Sequence, residues 1–294
     1  MSPINLKGMG VALITPFKAD KSIDFPALAR LLEHQIHGGV DYIVVLGTTA
    51  ETPTLTPEER RQVREFVAER VAGRVPLVLG LGGNNTMGVI EEIKSTDLKP
   101  FSALLSIVPY YNKPSQEGIY QHYAAIAKES PLPIVLYNVP GRTGVNMTAE
   151  TTLRLANDFP GKVVAVKEAS GNFNQIDDII KHKPTDFCVI SGDDGITFPL
   201  ITLGAVGVIS VIGNAFPREF SKMVRLALQG DFQNSLLIHH KFTELFSLLF
   251  VDGNPAGVKS LLNHMGFIEN ELRLPLVPTR ITTYDKIRSV LDRL

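Results

Sequence analysis

The sequence predicts an α/β protein: a closed (β/α)8 TIM barrel followed by an all-helical C-terminal extension. Eight short apolar runs recur before residue 212, amphipathic segments with helix-start residues separate them, and strand-like runs cease after the eighth. Apolar runs without alternation suit strands covered on both faces, the condition of a parallel sheet. The count of eight favours a closed barrel over an open doubly wound sheet, and no G-x-G-x-x-G opens the first helix.

The runs occupy residues 10–14, 42–46, 76–80, 103–108, 133–137, 163–167, 187–190 and 207–211. The segments between them begin with capping residues. Asp24 precedes a helix carrying Leu28, Leu31 and Leu32. Thr56 is followed by Pro57, Glu58 and Glu59, an N-cap with proline at the first helical position and acids in the first turn. Ser115, Thr148, Asn172, Asp194 and Asn214 (with Pro217 just after it) open the others. From residue 218 only helices are expected. Phe242, Leu245 and Leu249 recur at helical spacing, residues 251–255 interrupt them, and segments 256–265 and 282–294 complete the set. The expected division is a barrel over 1–217 and a helical extension over 218–294.

Composition narrows the function classes. With 44% hydrophobic and 20% charged residues in 294, the chain can bury a large core. Its 29 basic and 30 acidic residues are scattered without a basic run, which argues against nucleic acid and anionic membrane as partners. The one cysteine, Cys188, excludes an intrachain disulfide and reads as a small buried hydrophobe. Residues 1–10 hold no apolar signal core, and no 18-residue apolar run occurs, so a cytoplasmic location and no membrane span are expected.

In a barrel of this kind chemistry collects in the loops after the strands. The sixth run ends in Lys167, where packing gives way to a cavity or to solvent. Desolvation disfavours an ammonium group, and the free amine is a nucleophile toward a carbonyl. A lysine paired with its neighbour Glu168 is the alternative. After the second run stand Gly47, Thr48 and Thr49, whose vicinal hydroxyls suit either a carboxylate or the start of a hydroxyl-rich helix. Tyr110 and Tyr111 follow the fourth run, while Tyr137 ends the fifth and precedes Arg142. A rim tyrosine passes protons and an arginine fork receives a carboxylate, or these are interface aromatics and a surface arginine. Asp193 and Asp194 read as helix caps in preference to a Mg²⁺ site. The glycines at 80, 82 and 83 are a weak phosphate signal. His239 with Thr243, His240 with Glu244, and His34 with His37 share helix faces that solvation explains; none has the third ligand of a metal site, and no metal or cofactor is expected.

Five ordered motifs then carry a family likeness. They are Gly47-Thr48-Thr49, the stretch 109–114 with Tyr110 and Tyr111, the stretch 137–144 with Tyr137 and Arg142, Lys167-Glu168-Ala169-Ser170-Gly171, and Ser191-Gly192-Asp193-Asp194. Over essentially its whole length the sequence resembles the dihydrodipicolinate synthase (4-hydroxy-tetrahydrodipicolinate synthase) family, within the class I pyruvate-dependent aldolases and lyases. The resemblance implies that Lys167 forms a Schiff base with pyruvate and that the resulting enamine attacks L-aspartate 4-semialdehyde, in lysine and diaminopimelate biosynthesis. It implies Tyr137 as proton donor and acceptor, with Thr48 and Tyr111 completing a relay and Tyr111 reaching in from a neighbouring subunit. Thr49 would hold the pyruvate carboxylate, Arg142 the carboxylate of the second substrate, and Gly192 and Ile209 would line the pyruvate end through their backbone. A homotetramer built as a dimer of dimers is implied as well. Chemistry drawn from the residues agrees: pyruvate needs an amine, a carboxylate receptor and a proton carrier, and no metal.

Details within the superfamily bear on the reaction. The related N-acetylneuraminate lyases usually show Gly-Ser-Thr after the second strand and lack the Gly-Arg-Thr-Gly loop present here at 141–144. The alternatives are a sialic acid or 2-keto-3-deoxygluconate aldolase, or a barrel that binds a keto acid without turning it over. Two departures from the family pattern stand out. Ala50 replaces a usual glycine, which is expected to disturb the turn holding Thr48 and Thr49. Arg60 and Gly88 stand where lysine-inhibited members carry a histidine and an acid, although Asn84 is retained, so feedback inhibition by lysine is expected to be weak or absent.

Overall fold

Eight parallel strands pair in sequence order and the eighth returns to the first, closing the barrel. The computed structural model describes residues 5–294. The strands are β1 (Gly8–Ala12), β2 (Tyr42–Val45), β3 (Leu77–Gly80), β4 (Ala103–Ile107), β5 (Ile134–Asn138), β6 (Val163–Glu168), β7 (Cys188–Ser191) and β8 (Gly207–Ser210). The helices are α1 (Phe25–Gly38), α2 (Pro57–Val71), α3 (Thr86–Ser95), α4 (Gln116–Glu129), the short α5 (Pro140–Thr143), α6 (Ala149–Asp158), α7 (Phe173–His182), α8 (Thr197–Leu203), α9 (Pro217–Leu228), α10 (Phe232–Leu248), α11 (Ala256–His264) and α12 (Ile281–Leu291).

Side chains alternate along each strand between two cores. One fills the barrel lumen, with Tyr42, Val44, Leu105, Val135, Tyr137, Ala165 and Ile209. The other lies between barrel and helices and takes Val11, Ile43, Leu104, Leu136, Val166 and Val208. The Tyr42 ring crosses the lumen so closely that a Cβ on Gly10 would lie 2.1 Å from it, which is why β1 carries glycine there. The alternation also sets the directions of the side chains that end β6. Ala165 points inward, so Lys167 does too, and Glu168 points out among the helices.

The sequence signals for helix starts hold at most positions. Side chains of Asp24, Ser115, Thr148 and Asn172 each accept a first-turn N–H, and Thr56 with Glu59 forms a reciprocal capping box. Asp194 and Asn214 do other work. Asp193 is the cap after β7, while the Asp194 carboxylate accepts from the N–H groups of Val211 and Ile212 at 3.0 and 2.8 Å. Asn214 receives the Ile14 N–H and donates to Ala12 O, sewing the exit of β1 to the loop after β8.

Two expectations need adjusting. The first strand is Gly8–Ala12, because Leu13 and Ile14 are apolar for burial beneath later segments and lie beyond the sheet. Helix α9, which begins at Pro217 where the expected division falls, packs against α10 as well as against β1, α1 and α8. Residues 265–280, expected to be helical or helix-linking, run as a non-helical strap back over the barrel rim. Among the described residues no helix is long and apolar enough to cross a membrane.

Candidate active site

Lys167 is 5% exposed and sits on β6 beside Tyr137 of β5, its direct partner in strand register. Its Nζ lies 4.2 Å from the centroid of the Tyr137 ring. Pairing with Glu168 is not what this lysine does. The Glu168 carboxylate, fully buried on the opposite face, accepts from Asn138 at 3.0 Å, Gln175 at 2.9 Å and the Ser170 N–H at 3.0 Å. Burial pushes Glu168 upward from the ordinary carboxylate range, with those donors opposing. The acid therefore braces the helix layer and leaves the lysine to the lumen.

Lys167 opens into a cavity of about 500 Å³ at the C-terminal rim, with Thr48, Thr49, Tyr137, Arg142 and Gly192 in its walls. A second cavity, of about 320 Å³, shares Thr48, Tyr137 and Arg142 with the first and runs outward past Tyr110, Arg60 and Glu92. The two form one cleft pinched at Thr48, Tyr137 and Arg142. Six of the eight sequence-singled residues thus converge. Ile209 does not reach the cavity wall; it lies in the lumen core beneath, and Val211 from the same segment takes the wall position. Tyr111 lines neither cavity. It is 86% exposed, and its backbone is left-handed with φ of 79°, as is that of Lys113 at 50°.

Thr48, Thr49 and Ala50 form one 3-10 turn after β2. Ala50 has negative φ there and is buried, so its methyl group meets no backbone restriction. The left-handed position falls on Glu51, with φ of 55°. A reader of the sequence misses the residue that binds this turn to the rest of the site. Asn254, in the break between α10 and α11, donates from Nδ2 to Thr49 Oγ1 at 3.0 Å, and its carbonyl accepts from Arg142 at 3.3 Å. One residue thereby touches both Thr49 and Arg142. Its signal was only an Asn-Pro pair in a helix break, which reads as turn punctuation.

Helix α10 also contributes. His239 and Thr243 line the cavity, His239 half-buried and Thr243 exposed, so this face borders the site as well as solvent. Burial lowers His239 below the usual imidazole range, with His240 adding to the effect. Asn84 donates to the Tyr110 carbonyl at 3.3 Å, and Arg60 lies 3.5 Å from Glu92. Cys188 is half-buried, and burial pushes its thiol up. Among the described residues no group of three His, Cys, Asp or Glu is placed to hold a metal ion.

A buried amine at the end of the sixth strand of a parallel barrel, with a tyrosine against it and hydroxyls and an arginine around it, defines a Schiff-base lyase of the class I aldolase type. Comparison with known proteins makes this specific. The dihydrodipicolinate synthetase family model matches residues 5–294, and the chain belongs to that family. The 4-hydroxy-tetrahydrodipicolinate synthase of Parabacteroides distasonis is 71% identical over 294 residues, covering 100% of this chain and 99% of that protein. The dihydrodipicolinate synthase of Thermotoga maritima superposes with a TM-score of 0.95 at 42% identity over 98% of both chains. The chloride-inhibited enzyme from Acinetobacter baumannii, solved in complex with pyruvate, does so with 0.94 at 39% identity over 98% of both.

Proposed function

We propose that this lyase condenses pyruvate with L-aspartate 4-semialdehyde at Lys167, giving 4-hydroxy-tetrahydrodipicolinate and water on the route to diaminopimelate and lysine. The observation that carries the assignment of Lys167 is the buried amine packed on Tyr137 in the wall of the rim cleft.

The Lys167 amine adds to C2 of pyruvate, and loss of water leaves an iminium. Thr49 and its turn receive the pyruvate carboxylate. The iminium draws electrons from C3, a methyl proton leaves, and the enamine forms. C3 of the enamine attacks the aldehyde carbon of the second substrate, whose own carboxylate is held by Arg142. The substrate amine then closes on C2 and displaces Lys167. Tyr137 carries protons in and out of these steps, with Thr48 and Tyr111 as its relay, and proton transfer by such a placed group contributes roughly 10²–10⁴-fold. The backbone at Gly192 lines the pyruvate end, and Ile209 supports it from below.

Tyr111 supports an oligomeric enzyme. It leaves its own chain's cleft and is held outward by a left-handed backbone, as suits a residue completing a neighbour's site. The proposed assembly is a homotetramer of two dimers, in the cytoplasm.

Borohydride reduction in the presence of pyruvate, followed by peptide mass mapping, tests the assignment. A pyruvyl adduct on Lys167 is expected; an adduct elsewhere, or none, refutes it. Turnover with the semialdehyde, set against sialic acid and 2-keto-3-deoxygluconate, then separates this reaction from those of its relatives.

A further inference from the structure

We propose that the buried Lys259–Glu51 ion pair is a positioning device for the reaction: a cation supplied by α11 holds the Thr48–Ala50 turn so that its hydroxyls face Lys167. The inference rests on the site reading given above.

Glu51 follows the catalytic turn directly. Its side chain and that of Lys259 are both fully buried, and carboxylate and ammonium are in direct contact. The other Glu51 oxygen accepts the Arg273 N–H at 3.1 Å. Lys259 also donates to the Glu271 carbonyl at 2.9 Å and lies over the Phe17 ring, 4.2 Å from its centroid. The Arg273 guanidinium covers the same ring at 4.5 Å and grips Glu59, the third residue of α2, at 2.8 and 2.6 Å. Burial pulls the Lys259 ammonium down to about 8, with Glu51 opposing. The strap from the C-terminal helices thus fixes the start of α2 and Glu51, two residues beyond the point where Asn254 meets Thr49.

Stability does not account for the pair. Taking two charges out of water cancels most of their attraction, and two apolar side chains of similar volume serve a core as well or better. What a charge pair adds is a fixed direction. Here it pins a left-handed glutamate, a conformation unfavourable for any residue but glycine, and so sets where the preceding two threonines point. Placement at this precision matters to the reaction, since an error near 1 Å costs on the order of 10²-fold.

The test uses the full-length enzyme and three forms: wild type, Lys259→Met/Glu51→Met, and Glu51→Gln. The double variant is expected to melt within a few degrees of wild type while its kcat/KM for pyruvate falls roughly 10- to 100-fold, mainly through KM. Wild-type melting together with wild-type kcat/KM would show a purely structural pair and overturn the proposal. Should the double variant fail to fold, Glu51→Gln decides: a several-fold higher pyruvate KM supports the positioning role, and an unchanged one overturns it. Borohydride trapping separates this inference from the site reading. All folded forms are expected to give the Lys167 adduct at saturating pyruvate, and a wild type that gives none sinks the site reading instead.

Discussion

Asp194 offers a test of how the rim is held together. Its carboxylate is 3% exposed and bridges from the loop after β7 to the N–H groups of Val211 and Ile212 after β8. Burial raises it from 3.8 to about 6 despite those two donors. A raised carboxyl means that the folded protein binds the proton more tightly than the unfolded chain does. The stabilising contribution is therefore complete below pH 3.8 and is lost as the pH climbs through about 6. At roughly 1.4 kcal/mol per tenfold in proton affinity, the ionised form costs about 3 kcal/mol at pH 8 and about 1.6 kcal/mol at pH 5. Asp194→Asn keeps an oxygen for the two N–H groups and removes the charge. The variant should exceed wild type by about 3 kcal/mol in urea unfolding at pH 8, and its advantage should shrink by about half at pH 5. A variant equally or less stable at pH 8, or one whose advantage ignores pH, would refute the reasoning that an uncompensated buried charge is carried there.

Other outcomes follow from the same geometry. His122, 4% exposed and within 2.9 Å of Thr86 Oγ1, is lowered by burial to about 4; its contribution is present above pH 6.5 and fades as the pH falls toward 4. His122→Gln should therefore lose less stability than wild type between pH 7 and pH 5, by about 2 kcal/mol in urea titrations. Arg142→Ala should leave pyruvate trapping intact and lower kcat/KM for the semialdehyde by roughly 30-fold, the loss of a charged hydrogen bond near 2 kcal/mol. Mixing inactive Tyr111→Phe and Lys167→Ala subunits should restore turnover if Tyr111 serves a neighbour's site; mixtures that stay inactive after subunit exchange argue against it. Arg60 and Arg64 both face Glu92, at 3.5 and 3.9 Å, so a ligand ammonium entering the outer cavity meets a carboxylate already committed to two cations. An activity titration should show weak or no inhibition by lysine, and strong inhibition at low concentration would contradict this.

What could be read from the sequence was local or periodic. Caps at Asp24, Thr56, Ser115, Thr148 and Asn172 bond within three residues, so composition alone exposes them. The eight strands announced themselves because a sheet covered on both faces needs unbroken apolar runs. The convergence of Lys167, Tyr137 and the threonines followed from strand ends alone. What escaped was set by distant chain. Leu13 and Ile14 look like strand because they are buried, yet they are buried by loops. Asn214 looks like a cap because its partners Ala12 and Ile14 lie about 200 residues away. Asn254 and Lys259 sit in helical surroundings that say nothing of Thr49 and Glu51. The concern over Ala50 arose because the sequence does not show which residue of a turn takes the left-handed conformation, and here Glu51 takes it.

The contact between Asn254 and Thr49 spans 205 positions. All eight strands are translated before the residues that steady their second loop leave the ribosome. A nascent barrel can thus close its cylinder while the turn at Thr49 still lacks its buttress. A chain ending short of residue 254 would carry the whole cylinder and lack that contact.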